Sequence, residues 1–331
     1  MQYRRLGRSG LMVSELTLGT MNFGGPTDEP TSFLMIDKAL DYGINLLDCA
    51  NNYAGGKSEK IIGKALKNNA KRHQVLLTSK AFMPTSDQPN TKGNSRHNLI
   101  NSCLESLKRF QTDYIDIFFL HRTDWHIPQE ETLSALNYLV NQGCIRYIAC
   151  STHPAWRTVE ALHIADQKGF PKFVCEQPPY NLLDRRIENE VVPMCQNYNM
   201  GIITWSPLAQ GTLAGRYKTA DDYPVNSRAT TKSIYAERIT HAGINVALKV
   251  KNRARAKGQS PTALSVSWIL HQPAITSVII GPRTPAHLDD LVSAQEIPLL
   301  PEDLAWFDTL VPPGTYVSDH HNTAGWCQPS P

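Results

Sequence analysis

The feature that most constrains the fold of this chain is a regular alternation of short apolar runs with helical patterns. The apolar runs predict eight strands, at residues 16–19, 45–47, 75–78, 115–120, 145–150, 173–176, 202–205 and 277–280. Helical periodicity follows them, at residues 28–42, 58–67, 93–110, 129–142, 155–168, 186–198, 244–257, 262–271 and 285–293. Eight β-then-α units predict an α/β fold, a closed (β/α)8 TIM barrel.

A doubly wound sheet is the rival fold for the same alternation. No GxGxxG motif follows the first predicted strand, and no Gly/Ser-rich linker divides the chain, so the barrel is favoured. We expect one domain over residues 1–331, opened by an N-terminal β-hairpin within residues 1–13. Two extra segments decorate it: a long loop at residues 206–240, expected on the C-terminal face, and a C-terminal extension at residues 295–331.

Composition excludes several classes of protein. The net charge is +3 with both signs interspersed, so no basic stripe indicates a nucleic-acid partner. The Met1 end is polar and no run reaches membrane length, which predicts a cytoplasmic protein without a membrane partner. Seven cysteines without paired short spacings indicate reduced thiols. No CxxC or HxxxH motif occurs, so no metal site is expected.

Ionisable residues stand at the ends of three predicted strands. The run INLL leads into DCANNY (Asp48–Tyr53), VLLTSK ends at Lys80, and IDIFFLH ends at His121. Taken singly, each has an ordinary explanation, such as a turn, an exposed strand end or a core histidine. A barrel brings its strand ends to one rim, however, and there these four side chains would form a catalytic set.

Such a set can donate a proton to a carbonyl oxygen. Tyrosine is a weak acid, with a pKa of about 10 in water. A nearby Lys80 would favour the phenolate of Tyr53, and Asp48 would hold that lysine in place. His121 would orient the carbonyl oxygen. None of these side chains supplies a hydride, so reduction requires a cofactor. A Schiff base on Lys80, as in an aldolase, is an alternative that these residues leave open.

The same residues carry a resemblance to the aldo-keto reductase superfamily, closest to its bacterial and potassium-channel β-subunit-like branches. The matching segments are LGRSGLMVSELTLGTMNFG, LLDCANNYAGGKSEKIIGKAL, LKRFQTDYIDIFFLHRTD, QPPYNLLDR, WSPLAQGTLAGRY and GPRTPAHLDD. The resemblance implies Tyr53 as general acid, Lys80 as the group that lowers its pKa, Asp48 as partner of Lys80, and His121 as the residue that orients substrate.

The resemblance also implies NADP(H) as cofactor, bound along the rim without a Rossmann domain. Ser151, Thr152 and Gln177 match positions that hold the nicotinamide carboxamide, and Trp205 matches the aromatic residue that stacks on the ring. Arg283 matches the residue that binds the adenosine 2′-phosphate. The remaining implied cofactor contacts are Gly19, Thr20, Met21, Asp48, Ser206, Pro207, Leu208, Ala209, Gly211, Gly215, Arg216, Gly281 and His287.

Four positions depart from the family pattern. Thr152 stands where asparagine is usual; its hydroxyl can still donate but reaches less far, which weakens the expected carboxamide contact. His287 and Leu291 stand where glutamine or glutamate and asparagine are usual, which weakens the adenine contacts and leaves a preference for NADP resting mainly on Arg283. Ala54 replaces a glycine after the tyrosine, an exchange expected to be harmless.

The resemblance therefore implies an NADPH-dependent reductase of aldehydes or ketones. The alternative is an NADP(H)-binding regulatory subunit with little turnover. We expect a small-molecule carbonyl substrate and a monomer or small homo-oligomer. Candidates for the pocket wall are Met21, Phe23, Phe82, Trp125, Trp205 and the loop at residues 206–240. Residues 316–326 are a candidate cover over the site.

Overall fold

The predicted barrel is confirmed in the computed structural model of the chain, which describes residues 1–220, 223–225, 227–230 and 233–322. A two-stranded antiparallel hairpin comes first, with strands β1 (Tyr3–Arg5) and β2 (Met12–Ser14). Eight parallel strands then close the barrel: β3 (Leu16–Gly19), β4 (Leu46–Asp48), β5 (Leu76–Ala81), β6 (Ile115–Leu120), β7 (Ile145–Cys150), β8 (Cys175–Glu176), β9 (Gly201–Thr204) and β10 (Ser277–Ile280). The strands pair in chain order, and β10 pairs with both β9 and β3.

Helices pack around the outside of the barrel. They are α1 (Glu29–Asp41), α2 (Lys57–Asn68), α3 (Arg96–Phe110), α4 (Gln129–Asn141), α5 (Ala155–Lys168), α6 (Val191–Asn197), α7 (Ser233–Glu237), α8 (His241–Ala256), α9 (Pro261–Leu270), α10 (Pro285–Val292) and α11 (Pro301–Leu310). None of the described helices is long and apolar enough to span a bilayer. Most bounds differ from the predicted ones by one to three residues, as expected where helix ends fray.

Side-chain caps fix where several helices begin. Asp28 accepts a hydrogen bond from the Thr31 amide at the start of α1. Serine or threonine does the same for α3, α8, α9 and α10. Each cap satisfies an amide that the first helical turn leaves without a backbone partner.

Two local predictions are wrong. Ser58, the first residue of the predicted helix at 58–67 and its expected N-cap, does not cap α2, whose N-cap is Gly56; the buried Ser58 hydroxyl instead donates to the Thr20 carbonyl oxygen at 2.9 Å. The helix predicted at 186–198 is broken into a 3₁₀ turn (Arg186–Glu188) and α6. Pro193 explains the break, because proline lacks an amide proton and its ring clashes with the carbonyl four residues earlier in a continuous helix.

The hairpin closes the N-terminal end of the barrel. Leu6 and Val13 are fully buried and pack with the inward-facing barrel residues. Gly7, with φ of +53°, lies so close to the barrel that a Cβ there would stand 2.5 Å from the Gly201 amide nitrogen. With that end filled, the open rim is the C-terminal one, where Asp48, Lys80 and His121 lie.

Candidate active site

A buried ion pair lies at the centre of the rim. Asp48 is the last residue of β4, and Lys80 lies near the end of the adjacent β5. The Lys80 ammonium donates to both carboxylate oxygens of Asp48, at 2.7 and 2.8 Å, and to the Cys49 carbonyl oxygen at 2.7 Å. Lys80 is fully buried. All three ammonium protons are therefore bound within the protein.

Tyr53 and His121 lie beside this pair. The Lys80 Nζ is 5.2 Å from the centroid of the half-buried Tyr53 ring. The Tyr53 and His121 rings meet edge to face, with centroids 6.0 Å apart. The buried His121 Nδ1 has no hydrogen-bond partner among the described residues. The four residues predicted at the strand ends thus lie within one corner of the rim.

Burial sets the protonation states in this corner. It raises the pKa of Tyr53, and the charge of Lys80 opposes that rise without cancelling it. It lowers the pKa of His121 well below its usual value, with a further lowering by the charges of Arg122 and Lys80. Burial acts most strongly to lower the pKa of Lys80, but the charges of Asp48 and Tyr53 and the hydrogen bonds to Asp48 together outweigh it, and the net shift is upward. At neutral pH the corner holds a neutral phenol, a neutral imidazole and an ammonium.

This arrangement suits proton donation and disfavours amine nucleophilicity. A protonated phenol can give its proton to an oxygen, and Lys80 can stabilise the phenolate that remains. A Schiff base would need the free amine of Lys80. Its raised pKa and its three hydrogen bonds argue against that alternative.

Ala54 follows Tyr53 in a left-handed backbone conformation, with φ of 49°. Glycine adopts this conformation without strain, whereas alanine pays about 1 kcal/mol. Alanine in place of glycine was expected to be harmless here, but its left-handed backbone conformation lowers the stability of the fold by about this amount.

The residues predicted to hold a carboxamide lie on the opposite side of Asp48. Gln177 donates its amide to the Asp48 carboxylate at 2.9 Å, and the Ser151 hydroxyl donates to the Gln177 carbonyl oxygen at 2.9 Å. Thr152 Oγ1 lies 3.4 Å from Trp205 Nε1. Thr152 has φ of 59°, which is unusual for a β-branched residue. The sequence indicated only a shorter side chain at this position, not its backbone strain.

The loop after β9 contains a cluster of left-handed residues. Ser206, Ala209 and Gln210 have φ of 61°, 47° and 58°, and Gly211 follows with φ of 96°. Non-glycine residues with positive φ are uncommon, and they concentrate at ligand-binding sites. This segment is the one whose sequence resembles a pyrophosphate loop; the predicted contacts Pro207, Leu208 and Gly215 also lie in it.

Arginines gather beyond this loop. Burial lowers the pKa of Arg283, and the charges of Arg228 and Arg216 lower it further, so three cations lie close together. We call Arg216, Arg228 and Arg283 the arginine cluster. The half-buried Arg228 donates to Asn22 Oδ1 at 3.3 Å, and Asn22 donates to the Gly281 carbonyl oxygen at 3.2 Å. His287 is exposed in the first turn of α10. Sequence reasoning missed Arg228, because no periodicity in its loop indicates where the side chain lies.

Some residues predicted to contact the cofactor or line the pocket serve the protein's own packing and hydrogen bonding. A Cβ on Gly19 would stand 2.6 Å from the Ile279 side chain, so strand packing alone requires glycine there. The buried Thr20 hydroxyl donates to the Asp48 carbonyl oxygen at 2.8 Å. Met21 is 39% exposed and remains a candidate pocket residue. Phe23 is fully buried in the core, so its prediction as a pocket wall is wrong.

Glu176 is another residue that sequence reasoning missed. It lies fully buried beside Gln177, and its Oε1 accepts the His153 amide at 3.1 Å. It forms a group of possible metal ligands with Cys150 and His153, whose ligand atoms lie within 4.8 Å of one another. Burial raises the pKa of Glu176 to about 7 and that of Cys150 well above its usual value.

The predicted cover is only partly described. Residues 316–322 pack against the loop after β8: the Val317 amide donates to the Leu183 carbonyl oxygen at 2.9 Å, and the His320 amide donates to Asp184 Oδ2 at 2.8 Å. The Arg186 guanidinium stacks on Tyr316 at 3.7 Å. Residues 323–326 lie outside the described residues.

Known proteins resemble this chain over nearly its whole length. The sequence model of the Aldo/keto reductase family matches residues 15–312. The chain belongs to the aldo/keto reductase family. Among its relatives, an uncharacterized oxidoreductase of Bacillus subtilis, YrpG, is 38% identical, with 94% of this chain and 96% of the relative covered. A probable voltage-gated potassium channel subunit beta of Oryza sativa is 34% identical, with 91% and 93% covered. The L-glyceraldehyde 3-phosphate reductase of Escherichia coli O157:H7 is 33% identical, with 95% and 93% covered.

Membership in the aldo/keto reductase family confirms the resemblance and identifies the chain as an oxidoreductase-type barrel. Its relatives include both reductases and channel subunits, so membership alone does not select one function. The choice between these functions therefore depends on the residues of the rim.

Proposed function

We propose that this aldo/keto reductase reduces an aldehyde or ketone to an alcohol, with a hydride from NADPH and a proton from Tyr53. The observation that carries the proposal is the corner formed by Asp48, Tyr53, Lys80 and His121.

Each residue of the corner has a distinct task. Tyr53 donates its proton to the carbonyl oxygen as negative charge develops there, and its raised pKa keeps it protonated beforehand. Lys80 stabilises the resulting phenolate, and Asp48 fixes the ammonium. The neutral His121 is a hydrogen-bond partner for the carbonyl oxygen, because its Nδ1 has no described partner.

The residues along the rim fit a phosphorylated dinucleotide. When bound, NADPH supplies the hydride that no side chain provides. The left-handed loop after β9 offers backbone amides for a pyrophosphate, and the arginine cluster offers guanidinium groups for a further phosphate. Ser151, Gln177 and Trp205 would hold the nicotinamide. The three clustered cations favour NADPH over NADH.

The test combines cofactor binding with turnover. NADPH and NADH are titrated by nicotinamide fluorescence, and NADPH oxidation is followed by absorbance with 4-nitrobenzaldehyde and short sugars. Tyr53→Phe is expected to lower kcat by at least about 100-fold, since general acid catalysis contributes roughly that much, while NADPH still binds. Tyr138→Phe, at an exposed tyrosine on α4, is the control. Loss of NADPH binding in Tyr53→Phe would show instead that the tyrosine is structural.

The second candidate is an NADP(H)-binding regulatory subunit. The relative named a probable voltage-gated potassium channel subunit beta supports this candidate, because its sequence aligns with 91% of this chain, including the barrel. Tight NADPH binding without oxidation across a broad panel of aldehydes would favour this candidate over the reductase.

A further inference from the structure

Arg122 is a cation at the rim that the proposed reaction does not use. It follows His121 directly, and its Nη1 donates to the His121 carbonyl oxygen at 2.6 Å and to Thr152 Oγ1 at 3.4 Å. Its guanidinium carbon lies 5.7 Å from the centroid of the Trp205 ring. The half-buried Arg122 therefore lies between the catalytic corner and the residues proposed to hold the nicotinamide.

Of the acids near Arg122, Asp124 and Asp48 are engaged elsewhere, and the buried Glu176 acts on Arg122 through its charge without forming an ion pair with it among the described residues. Asp124, in the same loop, accepts the His126 amide through Oδ1 and the Asn94 amide through Oδ2, at 3.0 and 2.8 Å. Asp48 is bound to Lys80. Within the described part of the chain, Arg122 forms no ion pair, and its Nε and Nη2 groups donate to no protein acceptor. A guanidinium fork with free donors is suited to a carboxylate or a phosphate.

The surroundings of Arg122 hold groups of both signs. Burial lowers its pKa and the charge of the nearby Arg238, itself only 4% exposed, lowers it further, whereas Tyr53 and Glu176 act in the opposite direction. Arg238 is also close enough to act on His320, whose pKa falls to about 3, chiefly through burial. Neither ring nitrogen of the fully buried His320 has a described hydrogen-bond partner.

We infer that the carbonyl substrate carries an anionic group, a carboxylate or a phosphate, which Arg122 binds while the carbonyl oxygen lies between Tyr53 and His121. This inference rests on the proposed reductase function and narrows it to short acidic aldehydes or ketones. Because Arg122 directly follows His121 in the chain, the anionic group and the carbonyl group of the substrate must lie close together.

Two matched substrate pairs test the inference on the NADPH-loaded protein. 4-Carboxybenzaldehyde is compared with 4-nitrobenzaldehyde, which has the same shape without net charge, and glyceraldehyde 3-phosphate is compared with glyceraldehyde. The native chain should prefer the anionic member of at least one pair in kcat/KM. The pair with the larger preference identifies carboxylate or phosphate as the anion.

Arg122→Gln should lower that preference by about 10- to 100-fold, the usual effect of losing a hydrogen bond between charged groups. The loss should lie in KM for the anionic aldehyde, and Arg122→Lys should restore part of it. Arg146→Gln, at an exposed arginine on β7, is the matched control and should leave the preference unchanged. An equal fall for charged and neutral aldehydes would overturn the inference, because Arg122 would then only brace the His121 loop.

A binding measurement separates this inference from the proposed function. The NADPH-loaded chain is titrated calorimetrically with 4-(hydroxymethyl)benzoate, the alcohol product, which cannot react with NADPH. Binding by the native chain but not by Arg122→Gln supports the anion site even if no aldehyde is reduced. Equal binding by the two proteins, or no binding by either, overturns the inference of an anion site. Turnover of neutral aldehydes would still leave the reductase proposal intact.

Discussion

Glu176 offers a quantitative test of the electrostatics beneath the rim. The residue ends β8, is fully buried, and has one carboxyl oxygen, Oε2, without a described partner. Burial raises its pKa from 4.5 to about 7, against the opposing effect of hydrogen bonds from the Cys150 side chain and the His153 and Thr152 amides. The folded protein therefore holds the carboxyl proton more tightly than the unfolded chain does.

The sign and size of the pH effect follow from this difference. Because the folded-state pKa is the higher one, the contribution of Glu176 to the free energy of unfolding is greatest below pH 4.5 and is lost as pH rises to about 7. At about 1.4 kcal/mol for each pKa unit, the loss amounts to about 3 kcal/mol. Glutamine resembles the protonated acid at every pH. Glu176→Gln should therefore be about 3 kcal/mol more stable than the native chain at pH 8 and nearly equal to it at pH 4.5.

Urea unfolding at pH 4.5, 6, 7 and 8 measures this difference, provided that the m value stays constant. Glu302→Gln, at an exposed glutamate in α11, is the control and should show a difference that does not change with pH. A Glu176→Gln variant that is less stable than the native chain by the same amount at every pH would refute the reasoning. It would mean that the amides hold the carboxylate as an anion.

Two further substitutions test the central pair and the strained backbone. Asp48→Asn and Lys80→Met should each lower the free energy of unfolding by about 3–5 kcal/mol, because each leaves a buried partner alone, and the double variant should lose less than the sum. Additive losses in urea unfolding would contradict this coupling. Thr152→Asn should raise the free energy of unfolding by about 1 kcal/mol, since asparagine tolerates positive φ better than a β-branched residue. A lower Tm for this variant would show that the lost Oγ1 contacts outweigh the relief of strain.

The barrel could be predicted from the sequence because its signals are local and repeat eight times. Strands β3, β6, β7 and β10 have the predicted bounds, since apolar runs such as IDIFFL end abruptly at polar residues. Strand β8 has only two residues where four were predicted, because strand length depends on pairing with β7 and β9 as well as on hydrophobicity. Helix α11 was missed within the extension at 295–331, where only a tail was expected.

The proposed catalytic corner could be predicted for the same reason: Asp48, Lys80 and His121 stand at strand ends, and parallel strands bring their ends together. Arg122, Arg228 and Glu176 could not be predicted. Their significance lies in contacts with residues distant in the chain, such as Trp205 for Arg122 and Asn22 for Arg228. No local pattern encodes those contacts. Resemblance to the family suggested which segments bind the cofactor, but it did not indicate that three arginines converge.

Two unfavourable features coincide along the groove proposed for the cofactor. The arginine cluster holds like charges close enough that Arg228 and Arg216 lower the pKa of Arg283. The loop after β9 holds three non-glycine residues at positive φ, each at a cost of about 1 kcal/mol or more. Neither feature stabilises the chain alone. A bound polyanion offsets the repulsion among the guanidinium groups, and its contacts with the loop offset the cost of the left-handed residues, so both features favour the same class of ligand. Their coincidence supports a phosphorylated cofactor more strongly than either feature does alone.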